Sequence, residues 1–147
     1  MRQRRVLSGW ACSVLAVTAL ASCSNDADAI GFCDAAAGVR EANLALADTL
    51  GSAVGWDDKQ SDVADQLAEL EDALATATDA EDQPVADELQ LWQSDMSALR
   101  DRLDETRSLE DLLYAEVSDR PAPDQLNPAL ERVDATFEGE CGFRARA

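Results

Sequence analysis

The chain has 147 residues, with 30 Asp and Glu against 12 Lys and Arg and no His, giving a formal charge of −18 at pH 7. That is length for one domain, and a composition 46% hydrophobic but only 5% aromatic predicts an all-helical fold rather than a β-sandwich or barrel. Absence of imidazole excludes Ser-His-Asp and Cys-His catalysis, HExxH zinc sites and histidine proton shuttles, while the acidity argues against nucleic acid as a partner, since each phosphate would meet like charge.

The chain opens with the cationic run Met1-Arg2-Gln3-Arg4-Arg5, and residues 6–25 then carry no charge. This is a signal-peptide pattern. Ser8, Gly9, Ser13 and Thr18 dilute the apolar stretch, which favours cleavage over a retained membrane span. The stretch ends in Leu20-Ala21-Ser22-Cys23, which resembles the lipobox of bacterial lipoprotein precursors. The resemblance covers this N-terminal segment and implies cleavage after residue 22, a diacylglyceryl group on the Cys23 thiol and an N-acyl chain on the new terminus. Two or three acyl chains would hold the protein on a membrane where one chain binds only marginally. No other cofactor is expected.

With Cys12 lost in the signal and Cys23 lipidated, Cys33 and Cys141 remain, and a single pair outside the cytoplasm is expected to form a disulfide. Loss of Arg2, Arg4 and Arg5 takes the formal charge to −21. Residues 23–32 read as a lipidated polar tether, and 33–147 as the folded domain.

A first helix is expected from Asp34 to about Val54, with Val39, Leu46, Leu50 and Val54 on one face, Asn43 on that face as a buried register device, and Gly55 as the stop. Trp56-Asp57-Asp58 reads as a turn. A second helix carries Val63, Leu67, Leu70, Leu74 and Ala77 at alternating steps of four and three, a heptad seam. After an acidic turn at 79–83, Pro84 suits the first turn of a third helix bearing Val85, Leu89, Trp92, Met96, Leu99 and Leu103.

Past Thr106 the seam loses phase, so a kink or break near Ser108 is expected, with Ser108 and Asp111 forming a cap for a short helix through Val117. Arg120-Pro121-Ala122-Pro123 reads as a loop. Asn127-Pro128 then predicts the start of a last helix lined by Leu130, Val133 and Phe137 and ended by Gly139. The expected fold is an antiparallel, up-down four-helix bundle. A bond between Cys33, which opens the first helix, and Cys141, which follows the last, requires an even number of passes, because a disulfide spans only about 7 Å between Cα atoms.

Trp56, in a polar turn at the end away from the disulfide, is the candidate partner contact; the competing expectation is that it folds back to cap the core. Trp92 and Met96 read as core. The acidic clusters Asp57-Asp58, Glu69 with Glu71-Asp72, Asp79 with Glu81-Asp82, and Asp87-Glu88 have no metal-ligand spacing and read as a solvated face, with Glu71 exposed. Arg144 and Arg146 read as a disordered terminus. No catalytic or metal-ligating residue is singled out.

The expected function is that of a lipid-anchored, extracytoplasmic helical bundle of the cell envelope, non-enzymatic, held on the membrane by its lipid and acting by surface contact with an envelope protein. A solute- or cation-binding lipoprotein is the alternative, and would need a polar pocket between helices. A carboxylate-dependent envelope hydrolase is a second alternative, and would need two carboxyls with separated pKa values.

Overall fold

The computed structural model describes residues 24–80, 83–114 and 119–146, with side chains from Gly31 onward. The signal segment and Cys23 lie outside the described residues, as do Glu81, Asp82 and Val117. The helices are α1 (Ser24–Gly51), α2 (Trp56–Thr78), α3 (Ala86–Arg102), α4 (Leu109–Tyr114) and α5 (Pro123–Cys141), with one 3-10 turn, Leu103–Glu105, at the end of α3. The four long helices are antiparallel neighbours in the order α1, α2, α3, α5, and α5 closes the ring onto α1.

The heptad seams become the core. Val63, Leu67, Leu70, Leu74 and Ala77 of α2 are buried, as are Val85, Leu89, Trp92, Met96, Leu99 and Leu103 along α3. They meet Phe32, Ala36, Val39 and Leu46 of α1 and Val133 and Phe137 of α5. Fully burying one such side chain stabilises the fold by about 1.5–3 kcal/mol. Cys33 and Cys141 are disulfide-bonded with Cα atoms 5.4 Å apart across a sequence separation of 108. Closing a loop of that length contributes about 4–5 kcal/mol in the chain-entropy model. The bond fixes the polarity of the bundle: the start of α1 and the end of α5 share one end, and Gly51, Trp56, Arg102, α4 and Pro123 belong to the far end.

Helix boundaries differ from expectation for identifiable reasons. α1 begins at Ser24, so the backbone of the expected tether, from residue 24 on, is helical and continuous with the domain. It ends at Gly51 rather than beyond Val54, which is 52% exposed. The cause is Lys59, whose buried ammonium donates to the carbonyls of Leu50 at 2.9 Å and Ser52 at 3.2 Å, satisfying acceptors that the helix leaves open at its C-terminus. Gly55 is not the stop of α1 but the N-cap of α2, so Trp56 opens a helix instead of lying in a turn. Pro84 precedes α3, whose N-cap is Val85, where the Gln83 side chain braces the turn by donating to Ala77 O and accepting from Val85 N.

The break after α3 comes slightly before Ser108. Thr106 is extended, and the carbonyl of Leu103 accepts from Thr106 Oγ1 at 2.8 Å and from Gln60 Nε2 at 2.5 Å. Ser108 Oγ accepts from Asp111 N at 3.0 Å, the expected cap of α4. α5 begins at Pro123, not Pro128. Pro128 sits inside the helix and cannot donate to the carbonyl of Asp124, but Asp124 is exposed and water can serve it. Burial of Leu126 and Ala129 repays the extra turn. Gly139 stays helical, and α5 is ended by Gly142 at φ 79°, the left-handed conformation that favours glycine.

Residues 143–146 are ordered, contrary to expectation. Asp134 Oδ1 accepts from the backbone N–H of Ala145 at 3.0 Å and Arg146 at 3.3 Å, while its Oδ2 accepts from Arg146 Nε at 2.8 Å. Asn43 Nδ2 donates to Ala145 O at 3.2 Å. Phe143 packs edge-on against Phe137 with ring centroids 6.1 Å apart, and the Arg40 guanidinium lies 5.6 Å from the Phe143 centroid. The tail therefore straps α1 to α5, and Ala145 is wholly buried.

Candidate functional site

The far end of the bundle is where the sequence places its candidate contact, Trp56. Because Gly55 caps α2, the indole starts at the helix mouth and leans over the core, half-buried. Its Nε1–H donates to the carbonyl of Thr106 at 3.2 Å. The ring joins the start of α2 to the extended residue between α3 and α4, and its polar atom is committed inside the fold. The structure brings Trp56 and the break together; it does not present the indole as a free projection.

What the far end does present is α4. Leu112 is buried beneath it, while Leu113 is 42% and Tyr114 79% exposed. Its placement comes from Arg120, which forks onto buried Asp95 at 2.6 and 3.2 Å and also donates to the carbonyl of Leu113 at 3.2 Å. A bidentate arginine–carboxylate pair in a sheltered site fixes geometry as well as contributing energy. Beside α4 lies a cleft of about 600 Å³ walled by Arg102, Thr106, Arg107, Glu110 and Tyr114. A phenol, an exposed Leu and the exposed guanidinium of Arg107 at one tip can make the amphipathic contacts characteristic of protein interfaces.

Other candidates fall as follows. Trp92 and Met96 are core. Asn43 is half-buried on α1 and holds the C-terminal strap rather than setting register between helices. Asp57, Asp58, Glu69, Asp72, Asp79 and Asp87 are exposed, as a solvated acidic face requires. Glu71 departs from that reading: it is only 8% exposed and pairs with Arg100 of α3 at 2.5 Å. The residue lies beside Leu70 and Leu74, so it borders the seam that α3 covers. Among the described residues no group of three or more Cys, Asp or Glu side chains converges to hold a metal ion, and no helix is long and apolar enough to cross a membrane. Glu138 accepts a hydrogen bond from Arg144 at 2.7 Å, and that bond and its charge raise the guanidinium pKa further.

Sequence reasoning missed three polar devices: Lys59 on the end of α1, Asp95 with Arg120, and Asp134 with the tail. Spacing carried part of the signal for Asp95, which stands four residues from both Leu91 and Leu99 and so shares their face. Lys59 is the one lysine in the sequence, four residues before Val63, which places it on the covered face of α2. Compared with known proteins, the chain matches no family model, no curated protein and no solved structure.

Proposed function

We propose that the chain is a lipid-anchored, extracytoplasmic protein of the bacterial cell envelope that works by surface contact and catalyses no reaction. The observation that carries this reading is the disulfide between Cys33 and Cys141, a bond suited to an oxidising compartment, in a chain whose preceding residues resemble a lipobox ending at Cys23. The lipid confines the protein to the membrane surface and raises its local concentration there. At about 1.5 Å per residue the helical residues between Cys23 and Cys33 span roughly 14 Å, so the disulfide end of the bundle faces the membrane and α4 points away from it. The far tip, with Tyr114 and Leu113 exposed, is the contact surface.

In living cells, a photo-crosslinking amino acid at position 114, with one at exposed Glu69 as control, tests the contact. A discrete adduct from position 114 that is missing from position 69 supports the reading. Identical adducts from both positions, or none from either, contradict it.

A further inference from the structure

A second surface, on the flank rather than the tip, fits a partner of definite chemistry. Between α3 and α5 runs a groove of about 510 Å³. Its apolar walls are Leu91, Pro128 and Ala129, and carboxylates stand on both rims: Asp87 on α3 and Asp124 on α5. The groove follows from the sequence. Position 129 faces α3 with a methyl group where the deeper seam of α5 carries Val133 and Phe137, and Pro128 adds a flat ring, so Leu91 is left half-covered. Arg132 also lines the groove, but its charge is met by Glu88, to which it is ion-paired. The rim carboxylates Asp87 and Asp124 are exposed.

We propose that the α3/α5 groove docks a cationic amphipathic segment of a partner protein, an apolar side chain seated over Leu91 and Ala129 with Lys or Arg side chains meeting Asp87 and Asp124. Charge selects this occupant. Covering half-exposed Leu91 removes apolar area from water, but an acidic segment would press carboxylates against a domain of strongly negative charge and a neutral one would gain no attraction from it, whereas a basic one is attracted along its whole length. A second copy of this chain is disfavoured for the same reason, since it brings the same negative surface. The inference rests on the reading of the protein as one that works by surface contact, and names the chemistry of what it contacts.

The full chain, in phosphatidylcholine nanodiscs if it enters them and free in solution if it does not, is titrated with a fluorescent peptide of repeated Lys-Leu-Lys, and anisotropy is read against empty discs. Failure to enter the discs counts against the lipid anchor alone; failure to bind the peptide counts against the groove wherever the chain sits. Joint Asp87→Lys and Asp124→Lys substitution should weaken binding on the order of tenfold, and Leu91→Ser by about fivefold through lost apolar contact. Asp62→Lys with Asp65→Lys, the same charge change on the exposed face of α2, should leave it within about twofold. No binding by the parent chain, equal weakening by both charge reversals, or unchanged binding of Leu91→Ser would each overturn the proposal. Circular dichroism of each variant confirms that any loss is not unfolding.

Discussion

Trp56 and Thr106 are 50 residues apart in sequence, yet the indole N–H of one donates to the carbonyl of the other at 3.2 Å. The bond links the first residue of α2 to the hinge from which α4 departs, so the far tip is set by a contact between helices rather than by α4's own six residues. A helix that short is marginal alone. Trp56→Phe keeps most of the packing and loses the hydrogen bond, and should cost about 1 kcal/mol; Trp56→Ala should cost about 3 kcal/mol. Urea unfolding gives the totals, and amide exchange in α4 should quicken in both variants before the global stability is affected in proportion.

The disulfide predicts non-additive losses. Cys33→Ser, Cys141→Ser and the double variant each remove the same bond, so each should lower stability by a similar amount, at most about 4–5 kcal/mol. Thermal unfolding of the three distinguishes this from two independent cysteines, whose effects would sum.

Lys59 is buried with its ammonium on two carbonyls. Lys59→Met retains the stem and deletes the donors, leaving Leu50 and Ser52 oxygens short of partners, and should cost about 1–3 kcal/mol. A midpoint shift in urea with an unchanged slope is the expected result.

Asp134 gathers the C-terminal tail through two backbone N–H groups and Arg146. Asp134→Ala should release residues 143–146 and cost about 2–3 kcal/mol, because hydrogen bonds to a charged group are among the stronger ones. Carboxypeptidase trimming followed by mass spectrometry should be slow in the parent chain and fast in the variant.

The seams were legible because burial acts on residue type at a fixed period: every apolar position assigned to α2 and α3 is buried. The number of long helices was legible too, since joining Cys33 to Cys141 admits an even count of passes. Boundaries were less so, because they are decided by tertiary donors. Nothing local to Leu50 announces that Lys59 will take its carbonyl, and nothing near Ala145 announces Asp134. The same limit applied at Glu71, whose neighbours in sequence include acidic surface residues but whose partner, Arg100, lies on another helix. At the tip, Trp56 was singled out by residue type, but the exposed side chains there, Leu113 and Tyr114, belong to α4, whose placement depends on Arg120 reaching back to Asp95.

The central claim, that this bundle is held to a membrane through Cys23, is tested most directly by labelling cells with radioactive palmitate and comparing the parent chain with Cys23→Ala. The parent should incorporate label and sediment with membranes, while Cys23→Ala should carry no label and accumulate as a longer, unprocessed precursor. Equal incorporation in the two, or none in the parent, would contradict the claim.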